Sequence, residues 1–92
     1  MPKQDQIETL AGELERQLTA QYGRMLGSGD LWRELGFASP GAFRKSLTRG
    51  SLMIPLFEIE GRRGRYALAR DIAAWIAKQR LSAASELGIR QD

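Results

Sequence analysis

The chain has 92 residues, 42% hydrophobic and 27% charged, with 14 Lys and Arg against 11 Asp and Glu for a net charge of +3. That length and balance predict one globular domain over residues 1–92 with a single modest core, and leave no room for a second independent one. Cysteine and histidine are both absent, which removes disulfides, thiolate nucleophiles, the commonest general base and the commonest transition-metal ligand together.

The other exclusions follow from pattern. Glu58 and Glu60, the nearest pair of carboxylates for acid-base chemistry, stand two apart on a predicted strand beside arginines, the arrangement of a charged strand face turned to water. The glycines of GRRG at 61–64 have neither P-loop nor dinucleotide spacing. The expectation is therefore no catalytic residue, no metal, no cofactor and no small-molecule substrate. No apolar run approaches the roughly 20 residues that span a bilayer, and MPKQDQIETL lacks a signal peptide's apolar core, which predicts a cytoplasmic protein without a membrane partner.

In chain order, the first predicted element is an amphipathic helix over 5–26. Asp5 and Glu8 have capping-box spacing, and Ile7, Leu10, Ala11, Leu14 and Leu18 share one face opposite Gln6, Glu13, Arg16 and Gln17. Gly23 is one candidate helix end; Met25 and Leu26 extend the stripe as far as Gly27 in the other reading. The stripe either covers the chain's own core or forms a dimer seam, and spacing alone leaves both open.

After the Gly27-Ser28-Gly29 break, Ser28 or Asp30 is placed to cap a short helix containing Leu31, Trp32 and Leu35 and ending at Gly36. Three residues on, Ser39-Pro40 restarts a helix with a hydroxyl at the N-cap and proline at the first helical position. So short a connection forces a sharp angle between the two helices, as in helix-turn-helix motifs. Phe43 and Leu47 then face the core and leave Gly41, Arg44, Lys45 and Thr48 on the opposite side.

Gly50 and Ser51 end that helix and Pro55 keeps its neighbourhood extended. Phe57 and Ile59, then Tyr66 and Leu68, alternate with Glu58, Glu60, Arg65 and Ala67, which predicts two half-buried strands joined at 61–64 with Arg62 and Arg63 at the tip. A last helix begins at Arg70-Asp71, with Ile72, Trp75, Ile76 and Gln79 on its inner stripe, and a helical tail over 81–92 reaches Leu87 before Gly88 stops it.

Charge is divided along the chain. Residues 1–30 carry Lys3, Arg16 and Arg24 against Asp5, Glu8, Glu13, Glu15 and Asp30, a net −2. Residues 41–70 carry Arg44, Lys45, Arg49, Arg62, Arg63, Arg65 and Arg70 against Glu58 and Glu60, a net +5. Arginine forks suit phosphates and guanine edges, so the middle of the chain points to a polyanionic partner.

The segment from Asp30 to Arg80 resembles the small winged helix-turn-helix proteins of phages and mobile elements: the excisionases, the AlpA-type prophage regulators and the DNA-binding heads of the MerR superfamily. The resemblance rests on Glu34-Leu35-Gly36, Ser39 to Arg49, Gly50 to Pro55, Arg65-Tyr66 and Asp71-Ile72-Ala73-Ala74-Trp75-Ile76. It covers about half of the chain. Two features depart from that pattern: Ala69 stands where the last helix is usually capped by Ser or Thr, and the long N-terminal helix has no counterpart in the shortest members.

The resemblance implies a mainly α fold with a small β-hairpin, a winged helix-turn-helix core over 28–80 plus the extra N-terminal helix. It implies double-stranded DNA as partner, a homodimer or cooperative array, and a role as a small transcriptional regulator or recombination directionality factor. Ser39, Gly41, Arg44, Lys45, Thr48 and Arg49 would correspond to the recognition helix and Arg62, Arg63 and Arg65 to the wing. A non-catalytic adaptor is the alternative, with the striped first helix and an exposed Trp32 or Phe37 binding another protein.

Overall fold

A computed structural model of the chain describes the backbone over residues 2–91 and the side chains over residues 4–82. It is mainly helical: α1 (Pro2–Tyr22), β1 (Met25–Gly27), α2 (Ser28–Glu34), α3 (Pro40–Arg49), β2 (Tyr66–Leu68) and α4 (Ala69–Gln91). β1 and β2 pair antiparallel, with Met25 opposite Leu68, Leu26 opposite Ala67 and Gly27 opposite Tyr66. Among the described residues no helix is long and apolar enough to cross a membrane.

Met25 and Leu26 are strand, not the end of the first helix. Gly23 takes a φ of +89° and ends α1, its N–H bonding the Thr19 carbonyl at 2.8 Å, and the next residues turn into the sheet. On the other strand, Tyr66 pairs on both edges. It faces Gly27 across the ladder, and on its far side it exchanges two hydrogen bonds with Phe57: Tyr66 N–H to the Phe57 carbonyl at 2.8 Å and Phe57 N–H to the Tyr66 carbonyl at 3.0 Å. The expected strand at 57–60 is thus reduced to one bridging residue, because, two residues on, the Ile59 carbonyl closes a turn with Arg62 N–H and does not continue the ladder.

The ladder leads directly into α4. Ala69 N–H bonds the Arg24 carbonyl at 2.8 Å, so one of the donors that a helix start leaves unpaired is satisfied by backbone. A Ser or Thr cap is dispensable there. α4 begins at Ala69, two residues before Asp71, and its backbone stays helical through Gly88 to Gln91; a glycine inside a helix costs about 1 kcal/mol relative to alanine without stopping it. Gln79, expected on the inner stripe, is exposed, and the buried stripe is Ala69, Ile72, Ala73 and Ala77.

The three alanines of that stripe leave room for a second helix, and α1 lies against α4. α1 ends and α4 begins at the same end of the sheet, so the two run antiparallel. Leu18 is buried in the core and Leu14 packs against it, while Ile7, Leu10 and Ala11 are half-buried. The first helix therefore spends the inner end of its stripe within its own chain. The core joins Leu18, Leu26, Leu31, Leu35, Phe43, Ile54, Ala67, Ala69, Ile72 and Ala73 in one cluster drawn from every element.

Candidate nucleic-acid interface

α2 and α3 end in the same way. Gly36 N–H bonds the Arg33 carbonyl at 3.1 Å and Phe37 N–H the Trp32 carbonyl at 2.9 Å; Gly50 N–H bonds the Leu47 carbonyl at 3.1 Å and Ser51 N–H the Ser46 carbonyl at 3.2 Å. Each pair is the double closure of a Schellman motif, which requires a left-handed residue between the two donors. Gly36, with φ +85°, supplies it and turns the chain within three residues toward the next helix start.

There the Ser39 hydroxyl oxygen accepts from Ala42 N–H at 3.1 Å with Pro40 behind it, an arrangement that contributes about 1 kcal/mol. Phe43 is 3% exposed and its ring meets Phe37 at 5.6 Å between centroids, tilted by 58°. The buried Ser46 hydroxyl finds Ser51 Oγ at 3.1 Å. One face of α3 is thus fixed by packing, and the other is left outside.

That outer face gathers the predicted residues. Gly41, Arg44, Lys45, Thr48 and Arg49 line one shallow open surface, and Ser39, Lys45 and Arg49 also border an adjoining hollow of about 440 Å³ closed by Phe37, Ser46 and Ser51. Arg44, Lys45, Thr48 and Arg49 are all exposed. No Asp or Glu occurs between Glu34 and Glu58, so α3 offers positive charge undiluted by its own sequence. Thr48 Oγ1 donates to the Arg44 carbonyl at 3.1 Å, which engages its hydrogen and leaves a methyl and lone pairs outward. A methyl built at Gly41 would find Ser39 Oγ at 3.7 Å and Arg44 Nη2 at 4.0 Å, ordinary contact distances. Nothing in the fold demands a glycine at that position; what its absent side chain gives is close access to the first turn.

Arg62, Arg63 and Arg65 lie on a different element, the loop closed by the Phe57 and Tyr66 pair, and all three are exposed. Arg62 N–H bonds the Ile59 carbonyl at 3.0 Å, which closes a turn over 59–62 centred on Glu60 and Gly61, ahead of the predicted tip at Arg62 and Arg63. The structure holds this loop through a residue that sequence reasoning assigned elsewhere. Ser28 does not cap α2: the N-cap is Gly27, no side chain accepts there, and Asp30 lies within the first turn. The Ser28 hydroxyl instead accepts Arg65 N–H at 2.9 Å and donates to the Arg65 carbonyl at 3.0 Å. The register of the ladder, which places Ser28 next after Gly27, is the signal that finds it.

Trp32 and Phe37 are packed against the core and not exposed; the Arg33 guanidinium sits 5.2 Å over the Trp32 ring. Among the described residues the exposed large apolar side chain is Met53, at 81%, beside a hollow that Pro55, Ala74 and Trp75 help to line. Tyr22, at the end of α1, donates its hydroxyl to Glu34 Oε2 at 2.6 Å. That bond to a carboxylate, with desolvation and the nearby charges of Glu34 and Asp30, holds the Tyr22 phenol above its ordinary pKa, with Arg33 opposing. Among the described residues no group of three acidic side chains is placed to hold a metal ion. Comparison of the chain with protein-family models, with curated proteins and with solved structures gives no match.

Proposed function

We propose that this chain is a sequence-specific double-stranded DNA-binding protein of winged helix-turn-helix plan, with α3 as the recognition helix and the 57–66 loop as the wing. The observation that carries the reading is the outer face of α3, where Arg44, Lys45, Thr48 and Arg49 surround Gly41 on the second of two tightly joined helices. Such a helix fits the major groove. Arg44 and Lys45 can donate to guanine O6 and N7, Thr48 can meet a thymine methyl, and the loop arginines can grip phosphates or the adjacent minor groove.

One domain of this size contacts few base pairs, so specificity calls for a homodimer or a cooperative array on repeated sites. With the resemblance to excisionases and AlpA-type regulators, the reading extends to a cytoplasmic, non-catalytic regulator or recombination directionality factor of a prophage or integrated element. The test is titration of the protein into a random duplex library at two salt concentrations, with sequencing of the bound fraction. Enrichment of a short motif with steep salt dependence is expected. Absence of retention at low salt overturns the reading and directs attention to the exposed Met53 as a protein-binding element.

The two basic elements have different roles. Replacing Arg62 and Arg63 together by alanine should weaken all sequences alike and lower the salt slope by about 2, one unit per phosphate contact. Arg44→Ala should erode the preference between sequences, by about 1–3 kcal/mol at one base pair. Equal loss of discrimination from both variants would sink that division.

A further inference from the structure

We infer that Ser28 is a positioning residue for nucleic-acid binding: its hydroxyl latches the arginine loop to α2 and sets where Arg62 and Arg63 stand relative to α3. The inference rests on the DNA-binding reading above and adds to it a residue that touches no nucleic acid.

The geometry is that of a missing rung. The β1 and β2 register runs from Met25 opposite Leu68 to Gly27 opposite Tyr66, so the next pair is Ser28 and Arg65. Ser28 is already the first residue of α2 and its backbone has left the ladder. Its side chain supplies what the backbone no longer can: Oγ accepts Arg65 N–H at 2.9 Å and donates to the Arg65 carbonyl at 3.0 Å. A paired strand residue would exchange the same two bonds.

Around this point the chain keeps space free. Gly64 has φ +85°, and a Cβ there would stand 3.0 Å from Ser28 Oγ. The loop can come this close only with glycine beside Arg65. Beyond the latch, among the described residues the one further backbone tie of 58–64 is the bond from Arg62 N–H to the Ile59 carbonyl. Ser28 is thus the side chain that hydrogen-bonds the loop backbone beside its arginines, at the end of the loop opposite the Phe57 ring.

The experiment uses the full chain with Ser28→Ala, Ser28→Thr and the Arg62→Ala, Arg63→Ala pair, alone and combined with Ser28→Ala. Two quantities are read: the rate of trypsin cleavage after Arg62 or Arg63 in the folded protein, and the affinity for a labelled mixed-sequence duplex at two salt concentrations. Ser28→Ala should be cleaved several-fold faster and should lose most of the salt slope of about 2 that the arginine pair supplies. Ser28→Thr should restore both, and Ser28→Ala should add nothing where the arginines are already gone. Gly64→Ala, which crowds the hydroxyl without removing it, should act in the same direction and serves where Ser28→Ala fails to fold.

Unchanged cleavage in Ser28→Ala overturns the latch. Faster cleavage with unchanged affinity and slope overturns its role in binding, and an equal loss with and without the arginines overturns the route through them. If the parent itself fails to hold the duplex, the DNA reading falls and the binding role of Ser28 with it, while the cleavage rates still decide whether the latch holds the loop.

Discussion

The two basic regions are built in opposite ways. α3 is assembled from neighbours: Ser39 and Pro40 start it, Gly50 and Ser51 close it, and Phe43 anchors it on Phe37 six positions earlier. The loop at 57–66 takes its position from Gly27 and Ser28, reached across 37 residues of chain in the case of Ser28 and Arg65. Under the proposed DNA-binding reading, the surface that must present side chains at fixed spacing sits on a locally coded helix, and the surface that need only supply charge sits on a tether.

Substitutions can break that contrast or sharpen it. The largest effect is expected from Phe43→Ala, about 3–5 kcal/mol of stability lost in urea unfolding. A loss below about 1 kcal/mol would mean that α3 is held by its caps, whose worth is of that order, and not by packing.

Gly27→Val acts on the other region. Gly27 has an ordinary extended backbone with φ −92° and ψ 174°, but a Cβ there would stand 3.1 Å from Tyr66 Cε2. Overpacking of this kind costs about 1–3 kcal/mol. It should also speed trypsin cleavage after Arg62 and Arg63; unchanged cleavage would separate the loop from the sheet that carries it.

Gly41→Ala should have the opposite sign. A methyl fits without conflict and lowers the entropy of the unfolded chain, a gain of about 0.4–1 kcal/mol. Duplex affinity should nevertheless fall, because the added group keeps the first turn of α3 away from the DNA. A more stable variant with parental affinity would remove Gly41 from the interface.

The smallest effect is expected from Tyr22→Phe and depends on pH. The phenol's pKa is raised in the folded chain, so the bond to Glu34 stabilises fully below the ordinary tyrosine value near 10. That contribution disappears as pH rises through the raised value. Parent and variant should differ in melting temperature at neutral pH and converge in strong alkali; a constant difference would assign the effect to packing.

These same contrasts explain what was legible in the sequence. Both helices of the turn, the Ser39 cap, the glycine ends at Gly36 and Gly50 and the exposed α3 cations follow from signals within ten residues of each other, and the structure has them where the spacing predicts, whereas the expected side-chain cap of α2 is missing. β1 was invisible because Met25, Leu26 and Gly27 are too few to show a strand's alternation and continue the apolar stripe of α1. The alternation over 57–60 promised a paired strand, yet only Phe57 pairs, since the Ile59 carbonyl is taken by the turn to Arg62 N–H. Ser28 looked like a cap for the same reason: its partner is far off in sequence, and only the ladder's register reveals it. Trp32 and Phe37 were legible as aromatic but not as covered, because what covers them comes from the rest of the core.

The span between Ser28 and Arg65 also implies an order of assembly. Contacts between distant residues form only after the chain entropy of closing the intervening segment has been overcome, whereas helices with local caps need no such closure. α2 and α3 should therefore acquire their local caps before the sheet closes, and the arginine loop should take its form last. By the same logic it is among the first parts to open in the native state, so the amide hydrogens of 61–65 should exchange with solvent well before those at the centre of α3.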